Sequence, residues 1–231
     1  MAASEPSVDA RWRAQVWRAV ESQHLIATMR LVGDDLAAQA VLEDILEKAK
    51  PPLPADARGL HWLLATPFRY AAPPGGSRFR APGDPGVFYA GLIRRVACAE
   101  AGYWKWRFVA DSAGLSRLDA HPMTVFPAAA AGRAWDLTRG NLARRRRDWT
   151  HSSDYAPTQA LARRARAAGV QVLIYESVRD PEQGSCAAVL EARALANRDP
   201  LPAAETWYLT VNARGAVWQR AGTQAFAFDF A

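Results

Sequence analysis

Residues 73–91, PPGGSRFRAPGDPGVFYAG, join a loop rich in proline and glycine to a short apolar strand. Both residue types shape loops, because proline restricts φ and glycine admits turns that other residues avoid. The loop presents Arg78 and Arg80 just before the strand, which contains Tyr89. Residues 92–110 then repeat apolar positions at helical spacing. The fold prediction starts from this succession of loop, strand and helix.

The rest of the chain alternates strands and helices without a regular order. This irregularity favours an α+β domain with a mixed central β-sheet and flanking helices. Apolar runs and turn residues predict strands at 60–70, 123–129, 170–178, 185–192 and in a hairpin over 205–220, and helices within 135–148 and over 156–168.

The N-terminal segment has a helical pattern of its own. Apolar residues recur over 9–32 at helical spacing, and Gly33 can end that helix. Asp34 or Asp35 can cap a second helix that runs to about Lys50. We therefore predict an N-terminal helical extension over residues 1–58.

A rigid, proline-rich connector leads into the principal domain, which we place at residues 59–231. We favour packing of the N-terminal helices on this domain. A dimer face or a contact with a partner protein remains open for them.

Composition narrows the class of protein. The chain has 231 residues, of which 50% are hydrophobic, and no apolar run is long enough for a membrane-spanning helix. The N-terminus lacks the pattern of a secretory signal. Cys98 and Cys186 lie in apolar surroundings and are expected to be buried thiols in a reducing cytoplasm. The formal charge of +6 comes almost entirely from arginine, which binds phosphate and carboxylate as a planar fork but is also frequent in proteins of GC-rich genomes.

Several common sites have no counterpart in the sequence. The four histidines and two cysteines lack the spacing of zinc ligands, so we expect no metal site. There is no Walker loop and no nucleophile elbow. The glycines of the loop precede a strand rather than a helix, which excludes the dinucleotide fingerprint.

Four positions are candidates for chemistry when placed on the predicted elements: Arg78, Tyr89, Glu100 and Ser177. Arg78 could pair with a surface carboxylate, Tyr89 could be core, and Ser177 could begin a turn. Glu100 lies among alanines on a largely apolar helix, where an acid is costly to bury without a compensating partner.

The motifs GSRFRAPGDPGVFYAG, VACAEAGYW and YESVRDPEQG, in this order, resemble those of the RES family, from about Leu60 to the end of the chain. The resemblance implies an ADP-ribosyltransferase-like fold and the toxin half of a bacterial RES–Xre toxin–antitoxin pair. It also implies cleavage of NAD at the nicotinamide–ribose bond, by phosphorolysis, hydrolysis or ADP-ribosyl transfer. NAD is then a substrate, and no prosthetic group is expected.

The same resemblance assigns roles to residues of this chain. Glu100 would stabilise the cation-like ribose, Arg78 would bind the pyrophosphate, and Tyr89 would stack on nicotinamide. Ser177 would donate a hydroxyl to phosphate or ribose. Some members carry a histidine one helical turn after the glutamate, where this chain has Trp104. Further arginines that could contact anionic groups are Arg69, Arg80 and Arg179.

The resemblance also implies a partner, an Xre-type antitoxin, through which nucleic acid would be contacted. A homo-oligomer stays open.

Two other classes of protein compete with this interpretation. Arginine runs at 142–149 and 160–169, with Trp149 beside the first, could bind nucleic acid without catalysis. Alternatively, the chain could be a structural partner protein with a degenerate site, although all four family positions carry the expected residue types.

Overall fold

The computed structural model describes residues 9–22, 31–33, 35–220 and 224–231. Within them, eight strands form one mixed sheet in the order β1-β2-β5-β4-β3-β6-β7-β8. The strands are β1 Asp9–Glu21, β2 Phe88–Gly91, β3 Leu118–Asp136, β4 Val172–Glu176, β5 Ser185–Val189, β6 Glu205–Val211, β7 Gly215–Arg220 and β8 Gln224–Asp229.

Helices flank the sheet. The α-helices are α1 Leu36–Ala49, α2 Trp62–Arg69, α3 Arg94–Asp111, α4 Gly140–Ala143, α5 Arg146–Trp149 and α6 Ala156–Ala167, and short 3-10 turns lie at Ala55–Ala57, Ala192–Ala194 and Leu201–Ala203. None of the helices in the described parts of the chain is long and apolar enough to cross a lipid bilayer.

The long strand β3 organises the sheet. It pairs antiparallel with β1 and β6 and parallel with β4. Strand β1 also meets β2 where Trp17 lies opposite Gly91. The pairings β1–β2, β2–β5, β5–β4, β4–β3 and β3–β1 therefore close a circuit, and the remaining strands continue the sheet beyond β3.

Helices α2, α3 and α6 cover the sheet with apolar side chains. Helix α3 contributes Cys98, Ala99 and Val109 to a core with Trp207 and Trp218. Helix α6 contributes a separate set to the core on β4 and β5, including Leu161 and Ala165. These cores fix α3 and the loops beside it, which carry most of the candidate site.

The α+β class with a mixed central sheet and flanking helices is confirmed. The predicted strand at β2 and the predicted helices at α3 and α6 are present, as is the terminal hairpin of β6 and β7. The Asp35 carboxylate caps α1 by accepting from the amide of Ala37 at 2.8 Å.

The helix predicted over residues 9–32 is wrong where the structure describes it, because Asp9–Glu21 is a strand. Trp12, Val16 and Val20 fit helical spacing, but they would also lie on one side of a strand. Pairing with β3 selects the strand over the helix. The boundary predicted at 58/59 therefore does not separate a helical segment from the sheet. The prediction for 23–30 lies outside the described residues.

Two further differences lie in the principal domain. The strand predicted at 60–70 is the helix α2, which begins after His61, whose Nδ1 accepts from the amide of Leu63 at 3.2 Å. Its apolar run is too short for periodicity to distinguish a buried helix from a buried strand. Strand β8 was not predicted, and it pairs along β7 at the end of the sheet.

Candidate active site

The loop before β2 contains a tight turn at residues 76–80. The amide of Ser77 donates to the carbonyl of Arg80 at 2.7 Å, and the reverse bond is 3.1 Å long. Gly76 has φ +70°, and a Cβ there would lie 2.4 Å from the carbonyl oxygen of Arg80. Glycine is therefore required, and the turn carries Arg78 at its tip.

Tyr89 fastens this turn to the sheet. The amide of Phe79 donates to the Tyr89 hydroxyl at 2.9 Å, and the hydroxyls of Tyr89 and Ser77 are 2.8 Å apart. Burial raises the pKa of Tyr89, so the side chain is a neutral phenol at physiological pH. Its hydroxyl positions the turn while its side chain lines the adjacent cavity.

The Arg78 guanidinium is buried but has no acidic partner. Nη1 donates to the carbonyl of Trp149 at 2.8 Å and to that of His151 at 3.0 Å. Its central carbon lies 5.0 Å from the centre of the Tyr155 ring. No acidic side chain among the described residues forms an ion pair with Arg78, so its positive charge is available to an anion in the cavity.

Glu100 reaches the same cavity from helix α3. The hydroxyl of Ser177, at the end of β4, donates to Oε1 of Glu100 at 2.5 Å. The Ser177 oxygen in turn accepts from the amides of Arg179 at 3.2 Å and Asp180 at 3.0 Å. Ser177 thus links the carboxylate to the turn that follows β4.

Burial raises the pKa of Glu100, while the Ser177 hydrogen bond and the charges of Arg78 and Arg179 act in the opposite direction. A weakly solvated carboxylate interacts strongly with positive charge that develops beside it. Glu100 is therefore suited to stabilise a cationic centre.

An ion pair fixes the turn after β4. Nη2 of Arg95 lies 2.6 Å from Oδ2 of Asp180, which also accepts from the amide of Gly184 at 2.9 Å. Asp180 is buried, so this pair anchors the turn from below. The anchor orients both Ser177 and Arg179.

Arg179 lies over aromatic rings at the cavity edge. Its guanidinium carbon is 3.9 Å from the centre of Tyr103 and 5.7 Å from that of Trp104. Nη2 donates to the carbonyl of Ser152 at 2.6 Å. Trp104, where the resemblance implied a histidine in some members, is an exposed aromatic side chain that lies beneath the Arg179 guanidinium.

One cavity of about 420 Å³ brings these groups together. This volume is in the range of about 300–1,000 Å³ that is typical of small-molecule sites. Among the described residues, Glu100 supplies the one carboxyl group of the cavity lining. The lining residues are Trp17, Arg18, Ala19, Pro73, Gly76, Ser77, Arg78, Tyr89, Ala90, Gly91, Ala97, Glu100, Ala101, Trp104, Tyr155, Tyr175, Arg179 and Cys186.

Three predicted residues do not line this cavity. Ser177 is fully buried behind Glu100 and positions it. Nη2 of Arg80 donates to the carbonyl of Tyr70 at 2.6 Å, within the loop. Arg69 pairs with Glu47 at 2.6 Å. These partners already use the Arg80 and Arg69 guanidiniums away from the cavity, so we leave both out of the proposed site.

The sequence prediction missed the part of the site that comes from β1. Trp17 and Arg18 line the cavity, but the apolar spacing over residues 9–32 predicts a helix of the N-terminal extension there. Tyr155 also lines it, from the segment between α5 and α6. Read with a period of two, RAQVWRAV places Arg18 on the same side of a strand as Val16 and Val20, and this pattern could have indicated that Arg18 belongs to the sheet.

Comparison with known proteins identifies the family. The family model described as RES domain matches residues 53–212. The chain belongs to the RES family. The resemblance of the three RES motifs is thereby confirmed, and Arg78, Tyr89, Glu100 and Ser177 all lie within the RES match. Strand β1, with Arg18, lies outside it.

Other comparisons add less about this RES protein. No curated protein matches the chain. A chain in the crystal structure of the M. tuberculosis MbcT–MbcA toxin–antitoxin complex is similar to it with a TM-score of 0.46 and 11% sequence identity, over 95% of this chain and 86% of that chain.

Proposed function

We propose that this RES protein is an enzyme that cleaves NAD between nicotinamide and ribose, and that it acts as the toxin of a toxin–antitoxin pair. One observation carries the proposal: the carboxyl of Glu100 and the guanidiniums of Arg78 and Arg179, which form no ion pair among the described residues, line one cavity with aromatic walls. NAD has the matching groups, namely a pyrophosphate, a ribose and a cationic ring.

The arginines suit the anionic part of NAD. A guanidinium binds phosphate oxygens through two parallel hydrogen bonds. Arg78 and Arg179 each use one terminal nitrogen on backbone carbonyls, which leaves further donors for the pyrophosphate. The carbonyl contacts orient both guanidiniums before the substrate binds, and such preorganisation reduces the cost of binding.

Glu100 suits the reacting centre. The bond between C1′ and the nicotinamide nitrogen breaks, and its electron pair leaves with nicotinamide, which becomes neutral. The ribose becomes cation-like, and a fixed carboxylate beside it stabilises charge that exists mainly in the transition state. The acceptor oxygen then bonds to C1′, and any proton that it carries is released to solvent. Phosphate, water or a protein side chain could supply that oxygen.

Tyr89 takes a different role from the one the resemblance implies. Its hydroxyl bonds to Ser77 and Phe79 and so holds the turn that carries Arg78. We assign it a positioning role first. Stacking on nicotinamide could come from the cavity's other aromatic side chains among the described residues, which are Trp17, Trp104, Tyr155 and Tyr175.

Nicotinamide release from NAD by the purified protein tests the enzymatic proposal. We expect one nicotinamide to be released for each NAD that is consumed. Mass analysis of the second product, with and without phosphate, will identify the acceptor. ADP-ribose-1-phosphate formed only with phosphate would indicate phosphorolysis, and ADP-ribose would indicate hydrolysis. A protein that releases no nicotinamide under any of these conditions would refute the proposal.

The biological part of the proposal needs a separate test. Expression of the active chain should lower cellular NAD and stop growth, and co-expression of a cognate Xre-type antitoxin should restore both. Growth arrest without a fall in NAD would separate toxicity from NAD cleavage and contradict the proposed link.

The nucleic-acid alternative gains no support from the structure. Trp149 is buried and its indole donates to the carbonyl of Leu142, so it is not free to stack on a base. Several arginines of the two runs are engaged in ion pairs, which are Arg145 with Asp148, Arg146 with Glu176 and Arg163 with Asp84.

A further inference from the structure

The segment between α5 and α6 holds both arginines of the proposed pyrophosphate site. Arg78 donates to the carbonyls of Trp149 and His151 at 2.8 and 3.0 Å, and Arg179 donates to the carbonyl of Ser152 at 2.6 Å. The first arginine comes from the loop before β2 and the second from the turn after β4. The two guanidiniums therefore take their directions from carbonyls of one short segment.

The middle of this segment has little buried surface to hold it in place. Its ends are fixed, because Trp149 is buried at the end of α5 and α6 begins at Ala156. Residues 151–154 between these ends are exposed. Exposed segments with few buried contacts open locally at a low cost in free energy. The carbonyl directions consequently depend on hydrogen bonds within the segment.

The side chain of His151 supplies such hydrogen bonds. Its Nδ1 accepts from the amide of Asp154 at 2.8 Å and from that of Ser153 at 3.3 Å. A ring nitrogen can accept these bonds only when it carries no proton. Asparagine and aspartate side chains fix turns through the same contact with amides two and three residues ahead. The imidazole thus closes a turn around the two carbonyls of residues 151 and 152.

We propose that His151 is a positioning residue for substrate binding, because its Nδ1 fixes the turn that orients Arg78 and Arg179. The inference rests on the proposed function, since it concerns how that site is prepared for the pyrophosphate. His151 lies outside the lining of the cavity, so it would act on the ligand through the two arginines.

Two substitutions separate the two ring nitrogens. His151→Asn places an amide oxygen where the histidine has Nδ1, and so keeps the acceptor for the two amides. His151→Gln carries its amide one atom further, near the place of Nε2, and loses that acceptor. His121→Gln, which changes a histidine of β3 outside the cavity lining, is the matched control.

Three measurements on the full chain follow the effect from the turn to the ligand. Hydrogen exchange at the amides of Ser153 and Asp154, without ligand, reports the turn itself. Calorimetry with ADP-ribose, which contains the pyrophosphate but has no nicotinamide to lose, reports binding. Nicotinamide release at saturating NAD reports turnover.

We expect His151→Gln to speed exchange at both amides and to weaken ADP-ribose binding by roughly fivefold to tenfold, as the loss of a neutral acceptor implies. Affinity falls because fewer molecules hold both arginines in the binding arrangement. Turnover at saturation should stay within about twofold of the parent. His151→Asn should restore both exchange and affinity, and His121→Gln should match the parent throughout.

The inference is overturned if His151→Gln binds ADP-ribose as the parent does, or if His151→Asn is as weak as His151→Gln. A loss of turnover at saturation in both variants would overturn it as well, because that result indicates proton transfer by the imidazole. If His151→Gln does not fold, His151→Asn decides alone, and an affinity clearly below that of the parent refutes the role of Nδ1. Absence of nicotinamide release in the parent would refute the proposed function and leave the exchange and binding results standing.

Discussion

The Glu100 side and the Arg78 side of the cavity are held in place by opposite means. Glu100 lies on an 18-residue helix and takes its orientation from one side-chain hydroxyl, that of Ser177. Arg78 lies on a short turn and is oriented by the backbone carbonyls of Trp149 and His151. The proposed reactive acid thus lies on a long helix, whereas the proposed binding cation lies on a loop that long-range hydrogen bonds hold in place.

This difference predicts which substitutions act on chemistry and which act on binding. Loss of the acid should change the rate of bond cleavage and leave the bound state intact. Loss of the cation, or of the tyrosine that ties its turn, should change affinity and stability.

The largest effect is expected for Glu100→Gln. Removal of one preorganised electrostatic group typically lowers turnover by about a hundred- to a thousandfold, while NAD affinity should change little. Nicotinamide release and calorimetric binding of NAD measure the two quantities. Glu182→Gln, which changes an exposed acid in the turn after β4, is the control and should cleave NAD as the parent does. Parental turnover in Glu100→Gln would remove Glu100 from the proposed chemistry.

The second largest effect is expected for Arg78→Ala, which should weaken the binding of NAD. A hydrogen bond to a charged group contributes about 1.5–3 kcal/mol, so NAD affinity should fall by roughly ten- to a hundredfold. Arg147→Ala, which removes an exposed arginine of α5, should leave the affinity unchanged. Equal losses in the two variants would show that general positive charge, rather than the position of Arg78, attracts NAD.

Tyr89→Phe keeps the ring and removes only the hydroxyl. The buried amide of Phe79 then loses its acceptor, which costs about 1–3 kcal/mol of the free energy of unfolding. Urea denaturation measures this loss, and Tyr208→Phe, at an exposed position, should be neutral. If Tyr89→Phe is as stable as the parent but binds NAD poorly, the hydroxyl contacts substrate and does not serve mainly to position the turn.

The smallest effect, a shift in pH dependence, is expected for Ser177→Ala. The Ser177 hydrogen bond favours the ionised form of Glu100, so its removal raises the pKa of Glu100 further. Because the carboxylate is the active form, the acid limb of the rate profile should move to higher pH, with little change where Glu100 is ionised in both proteins. Ser152→Ala, at an exposed position, should keep the parental profile. A shift to lower pH would contradict the arrangement.

The sequence singled out Glu100 and Arg78 as candidate site residues, but it did not single out the residues of β1 that line the cavity. Glu100 was conspicuous because it is an acid among alanines, and Arg78 because proline and glycine shape its loop. Both signals are local and chemical. The circuit of strands that brings residues 78, 89 and 100 to one cavity depends on pairings between segments far apart in the chain, which no local pattern specifies.

Arg18 shows why the remainder was missed. Trp12, Val16 and Val20 are compatible with two periodicities, and only the long pairing with β3 selects the strand. Arg80 shows the opposite error, because its place in a functional motif suggested ligand contact while its guanidinium bonds to carbonyls of its own loop. Residue type indicated which side chains could carry chemistry, but side-chain direction required the structure.

The closed circuit of strands has a practical consequence for anyone who trims this protein. A fragment cut to residues 53–212 would lack β1, β7 and β8, although it contains every RES motif. The edge of β3 that pairs with β1 from Met123 to Ala134 would lose its partner strand, and such an open edge invites association with other chains. Recombinant fragments meant to be well behaved should therefore begin before Asp9 and continue through Asp229.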